Sequence, residues 1–268
     1  MSPDGHDASE ASARPESAPF ELGDVGGTGP ALLCLHGLTG TPYEVRPPKA
    51  VYAELGFACL GPALPGHLPG ETPEELARTP RSAWLEAVTS AFDRLAATHG
   101  RVFVMGLSLG GVLALALAQH RAVAGLLVLG APIDLGRLYR RLIPLLVRVL
   151  PSVPRTPGIV DEEARERHPG YRRMPLRSVV ELIKLQAEVE VGLGRVIAPA
   201  RLLYSRADRT VSPSDAARIA RQLAGAVEIE YLETSGHVMS VDLERDRVHA
   251  WMTRSLVELL ESADGPRI

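Results

Sequence analysis

The chain has very little cysteine. Of 268 residues only Cys34 and Cys59 are thiols, and each lies inside an apolar run that reads as a strand, so both read as free, buried, small hydrophobes rather than a disulfide framework. No Cys/His cluster has metal-ligand spacing, and no metal is expected. No apolar run is long enough to span a bilayer, which argues against stable membrane insertion. The net charge is only −3, so nothing global points to nucleic acid or an anionic surface. The first residues, Met1 to about Ala18, are rich in Ser, Ala, Pro and Glu. They lack the apolar core of a signal peptide and read as a disordered tail. These absences leave a cytoplasmic enzyme as the default expectation.

Hydrophobic residues make up 46% of the sequence, enough for a sizeable core. Strand-like and helix-like segments alternate. Ala31 to Leu35, Phe57 to Leu60, Val102 to Met105, Gly125 to Leu129, Ala200 to Tyr204 and Glu228 to Leu232 read as strands. Tyr43 to Leu55, Ser82 to Thr98, Val112 to Gln119, Pro213 to Leu223 and Val241 to Leu260 read as helices, the first limited by Pro47 and Pro48. Alternation with continuously apolar strands predicts an α/β fold: a mostly parallel sheet covered by helices on both faces. Residues 133–197 break the pattern and read as a small helical lid between a first core part, 19–132, and a second, 198–268. Leu135, Leu138, Leu142, Leu145, Leu146 and Val149 are expected to form an apolar stripe facing the site, with arginines at its rim. A membrane-surface helix is the less favoured reading of that basic stretch.

The chemistry centres on Gly106-Leu-Ser108-Leu-Gly110, between a strand and a helix. G-x-S-x-G in that context is a nucleophile elbow, in which small neighbours let strand and helix approach and the Ser108 hydroxyl stands at the sheet's C-terminal edge. A serine needs a base, itself oriented by a carboxylate. With the chain order Ser, Asp/Glu, His, His237 on the turn after the last strand is the base. His6, His67, His99, His120, His168 and His249 have no comparable position. Asp208, at the end of the preceding strand, is the favoured carboxylate, with Asp134 its rival. Asp242 and Glu233 are too close to His237 in sequence. The N–H groups of Leu109 and Leu38 are the expected oxyanion donors and so contact the substrate, while His36 reads as a structural residue of the loop.

His36-Gly-Leu-Thr-Gly40, Gly106-Leu-Ser-Leu-Gly-Gly111, the Arg-Ala-Asp208 turn and Ser235-Gly-His237-Val together resemble compact bacterial carboxylesterases and monoacylglycerol lipases of the α/β-hydrolase superfamily. The similarity runs from about Ala31 to the C-terminal helix and includes, more loosely, Arg173-Met-Pro-Leu176. The resemblance implies an α/β-hydrolase fold with a small lid, a short acyl or monoglyceride ester as substrate, and no metal or organic cofactor. The N-terminal tail and the arginine-rich lid depart from it. The expected function is a serine hydrolase acting through an acyl-enzyme. The same triad would also serve a thioesterase, acyltransferase, peptidase or C–C hydrolase. A non-catalytic binding protein of this fold is disfavoured because all three triad positions are filled. Oligomeric state is not legible.

Overall fold

The computed structural model describes residues 17–133 and 137–263. The expected tail (except Ser17 and Ala18), Asp134 and Leu135 lie outside them. The main sheet runs β1 (Phe20–Leu22), β3 (Ala58–Gly61), β2 (Ala31–Leu35), β4 (Val102–Leu107), β5 (Gly125–Leu129), β8 (Ala200–Ser205) and β9 (Val227–Leu232) in spatial order. Every pairing is parallel except the edge pairing of β1 on β3. β1 is too short to show a period, and its anchor is Phe20, buried over Gly61, where any Cβ would lie 2.2 Å from the ring.

The central strands are apolar throughout because both faces are covered, and their residues divide by period two. Leu33, Val104, Val128 and Leu202 point into one core layer with Trp84, Val88, Phe92 and Leu95 of α2 (Arg81–Ala96). The same layer takes in α3 (Leu109–Ala118), all ten of whose residues are buried. Leu32, Phe103, Leu127 and Leu203 point the other way, against Trp251, Met252 and Leu256 of α8 (Arg245–Ala263). A single register slip would exchange these layers, so the pairing is strongly specified. The preceding short helix, α1 (Pro73–Arg78), is closed by a Thr72/Glu75 capping box.

The helix expected over Tyr43 to Leu55 is not continuous. It is a 3₁₀ turn at Pro42–Val45 and a π-type turn at Ala50–Glu54. Pro47 forces Arg46 into extended backbone (ψ 119°), and neither Pro47 nor Pro48 has an N–H to continue a helix.

The insertion contains α4 (Arg137–Leu146), α5 (Glu162–Arg167) and α6 (Leu176–Gly192). It also contains a small antiparallel pair the sequence did not suggest, β6 (Ser152–Pro154) with β7 (Arg173–Pro175). The apolar stripe differs from expectation. Leu142, Leu145, Leu146 and Val149 stand in solvent, and the side chain of Leu138 is outside the described set. The half-buried positions of this stretch are instead Ile143, Pro144 and Val147, with Val147 beside Val180 and Lys184 of α6. Apolar residues surround α4 on more than one side, so periodicity alone did not decide which side packs. The helix before the last strand is α7 (Ser214–Ala220).

Candidate active site

β4 ends at Leu107 and α3 starts at Leu109, so Ser108 alone makes the turn, at φ 54° and ψ −116°. Such a conformation in a residue with a side chain costs about 1–3 kcal/mol and persists only where its surroundings impose it. Here Ser108 N–H donates to Leu129 O at 2.9 Å, and the Ser108 carbonyl accepts from Val112 N–H at 3.1 Å. A Cβ on Gly106 would lie 2.2 Å from the Gly110 carbonyl carbon, and one on Gly110 2.0 Å from Leu35 O. No methyl fits at either place, so both glycines are there to let strand and helix close. The Leu109 N–H opens α3 and meets no acceptor among the described residues. With the aligned peptide dipoles behind it, it is suited to a developing negative charge.

His237 and Asp208 are brought together. His237 Nδ1 lies 2.7 Å from Asp208 Oδ2, and both side chains are nearly inaccessible. The other oxygen, Oδ1, accepts from Thr210 N–H at 2.7 Å and Val211 N–H at 3.0 Å, so Asp208 shapes its own turn while facing the imidazole. Burial pushes its carboxyl up. The His237 imidazole and the two N–H donors outweigh that and hold it below its ordinary value. A Cβ on Gly130, which follows the Leu129 carbonyl bonded to Ser108, would stand 3.5 Å from His237 Cε1, so the imidazole and the elbow converge at the end of β5. The Ser108 hydroxyl makes no hydrogen bond among the described residues, a link that in unliganded sites often tightens only with substrate.

The third wall is the loop after β2. A Cβ on Gly37 would approach Ser108 Cβ at 3.5 Å, and the Leu38 N–H beside it meets no acceptor among the described residues. His36 is structural, as expected: its Nε2 accepts from Leu64 N–H at 3.0 Å and its Nδ1 lies 2.9 Å from Gly37 O. Thr39 takes φ 62°, an outlier for a β-branched residue, and its N–H donates to His67 Nε2 at 2.9 Å. With both Nε2 atoms accepting, both rings are the neutral Nδ1–H tautomer. Burial, reinforced by His36, lowers His67 to about 3.

Several supporting carboxylates escaped sequence reasoning. Glu44 Oε2 accepts from Gly37 N–H at 3.1 Å, and Oε1 faces His168 Nε2 at 2.7 Å. Thr41-x-x-Glu44 has the spacing of a capping box, yet Glu44 turns inward and Thr41 caps nothing. Asp242 faces no imidazole and instead accepts from Gly236, Val160, Asp161 and Leu243 N–H groups, so it joins the His237 loop to the insertion. Glu244 accepts three successive N–H groups, Glu233 to Ser235. Burial opposes its charge, but the Thr234 and Ser235 N–H groups and the Arg247 guanidinium bring it down to about 2. Nothing local in the sequence marks these residues, because each acts on a segment distant or folded back. Cys34 and Cys59 are buried free thiols, both shifted upward by burial, Cys59 to about 12. A cleft of about 630 Å³ borders His237 between Gly158, Arg165, Arg209 and Thr210.

The chain thus carries a strained serine between a strand and a buried helix, a His–Asp pair at the end of the neighbouring strand β5, and two N–H groups that meet no acceptor among the described residues. The chain belongs to the alpha/beta hydrolase family, whose model matches residues 32–251. Among known proteins it is similar to a thermostable monoacylglycerol lipase of Bacillus sp. (strain H-257), 30% identical over 236 residues covering 85% of this chain and 88% of that one. It is also similar to a carboxylesterase of Bacillus subtilis (strain 168), 28% identical over 255 residues, 93% and 98% of the two chains. Among solved structures, one from a study of the metagenome-derived lipolytic enzymes LipS and LipT superposes with a TM-score of 0.80 at 25% identity, covering 92% of this chain and 98% of that one. A monoacylglycerol lipase of Paleococcus ferrophilus gives 0.68 at 18% identity, covering 90% and 98%, a likeness of fold. Among the described residues no helix is long and apolar enough to cross a membrane.

Proposed function

We propose that this chain is a carboxylic ester hydrolase that works through an acyl-enzyme on Ser108. His237 takes the Ser108 proton as the hydroxyl attacks the ester carbonyl, then gives it to the departing alcohol. Asp208 keeps the imidazole proton on Nδ1, leaving Nε2 free to act as base, and stabilises the imidazolium that forms. The Leu38 and Leu109 N–H groups hold the tetrahedral oxyanion. Water, activated by His237, then releases the acid. No step calls for a metal or organic cofactor.

The observation that carries this reading is the 2.7 Å His237–Asp208 contact converging on a strained serine flanked by two unpaired N–H groups. The names of the similar enzymes support carboxylic esters, monoacylglycerols among them, as the substrate class, and we propose short-to-medium acyl chains within it. A fluorophosphonate probe should label the native protein at Ser108, and a panel of p-nitrophenyl esters and monoacylglycerols should be hydrolysed. Absence of both labelling and turnover would refute the reading.

A further inference from the structure

The oxyanion loop is held from outside the hydrolase core. Residues 168–171 of the insertion reach across it: Tyr171 N–H donates to Thr39 O at 2.9 Å, and the Tyr171 hydroxyl shares its one proton between Gly66 O and Glu71 O, at 3.0 and 2.9 Å. Gly170 passes so close that a Cβ there would lie 2.6 Å from Thr39 O. His168 Nδ1 accepts from Gly170 N–H at 3.2 Å, so its Nε2 carries a proton and donates to Glu44. Glu44 and His168 are both fully buried, 124 residues apart in sequence.

We infer that the Glu44–His168 pair is a positioning element for the oxyanion hole, resting on the Ser108 reading above. One carboxylate bridges two donors, Gly37 N–H on Oε2 and His168 Nε2–H on Oε1, and so fixes the peptide that precedes the Leu38 N–H. Glu44 touches no reacting atom. It acts by setting where Leu38 points, and a buried donor misplaced by under an ångström loses much of its value to the transition state. The Glu44 carboxyl is ionised as the bridge requires. Burial pushes it up, but the His168 hydrogen bond and the nearby Arg155 charge bring it down to about 2. The Glu44 main chain is itself tied, since the Ser240 hydroxyl donates to its carbonyl close to the His237 loop.

An amide at this position has one acceptor where the carboxylate has two. Glu44→Gln can therefore serve Gly37 or His168 but not both. His168→Gln keeps a donor for Glu44 and an acceptor for Gly170 N–H, whereas His168→Leu keeps neither. Each variant would be titrated with a fluorophosphonate so that kcat is expressed per reactive serine. Each would then be assayed with p-nitrophenyl butyrate and with a trifluoromethyl ketone, which forms a tetrahedral adduct on the serine. Losing an oxyanion donor outright costs about 10²–10³ in kcat, and displacing one a part of that. The expected result is a fall of about 10–100-fold in kcat for Glu44→Gln and His168→Leu, with KM within about threefold. Trifluoromethyl ketone affinity should weaken in parallel, and His168→Gln should recover most of both. A merely structural pair would lower melting temperature and titratable sites while leaving kcat per site and ketone affinity unmoved, and that result overturns the proposal. Ser108→Ala, run alongside, separates the two levels. If it is still active, the nucleophile reading falls and this proposal with it. If it is inert while Glu44→Gln kinetics are unaltered, this proposal falls alone.

Discussion

Asp208→Asn tests the site most sharply, because the structure dictates how the amide must sit. Oδ1 accepts from two backbone N–H groups, Thr210 and Val211, so the amide oxygen takes that side and the NH₂ group faces His237 Nδ1. Two donors cannot face each other. The imidazole proton moves to Nε2, the nitrogen that must be bare to accept the Ser108 proton. Restoring the useful tautomer means flipping the amide, which orphans both N–H groups at about 1–3 kcal/mol each. At about 1.4 kcal/mol per decade, a flip cost of roughly 2–6 kcal/mol alone gives about 30- to 20,000-fold. Loss of the carboxylate charge beside the imidazolium brings the total to about 10⁴ in kcat. The assay is turnover of p-nitrophenyl butyrate by protein shown to be folded by circular dichroism, with KM expected within about threefold. Asp134→Asn is the control and should cost far less. A fall below tenfold for Asp208→Asn, or the reverse ranking, would refute the assignment.

Ser108→Ala should lower turnover by about 10⁶ and leave thermal unfolding at or above the native midpoint. A detectable fluorophosphonate adduct on this variant would move the nucleophile elsewhere. Gly110→Ala must push a methyl 2.0 Å from Leu35 O, so it should cost more than about 3 kcal/mol in urea unfolding or give insoluble protein, whereas a native-like midpoint would contradict the elbow packing. Glu44 carries a pH signature. Its folded value near 2 lies below the ordinary value of 4.5, so its contribution is fully present above about pH 4.5 and is lost as pH falls from there towards 2. The stability gap between wild type and Glu44→Gln should therefore shrink across this window. A gap independent of pH would show that the carboxylate's charge is not what matters.

The parts of the site that were legible in the sequence are those whose chemistry is local. Gly106 and Gly110 flank Ser108 at a spacing only a tight strand-to-helix turn demands. Asp208 follows the largely apolar strand β8 and His237 the alternating edge strand β9, so their place at the sheet's C-terminal edge came from counting strands. That the sheet is covered on both faces was legible for the same reason, since Leu32–Leu33 and Phe103–Val104 are apolar at consecutive positions, whereas which residue enters which layer carries no mark in such a run. What stayed hidden depends on distant partners. Glu44 serves Gly37 and His168, and Asp242 serves Val160 and Asp161; neither relation leaves a pattern in the chain. Edge strand β1 was missed because three residues carry no period. The solvent-facing leucines of α4 were misjudged because Ile143 and Val147 offer an equally apolar face one step round the helix.

The attachment of the insertion has a consequence for anyone who would trim or exchange it. It is riveted at two points, by Asp242 to Val160 and Asp161 beside the His237 loop, and by His168 and Tyr171 to Glu44 and Thr39 at the loop after β2. A minimal enzyme made by excising residues 133–197 would strip the buried Glu44 of its imidazole and Thr39 of the N–H that holds its carbonyl. A chimaera that imports a foreign lid must therefore bring its own counterparts of His168, Gly170 and Tyr171. Exchanging this insertion therefore also exchanges the contacts that hold Gly37, Thr39 and Glu44 beside Ser108.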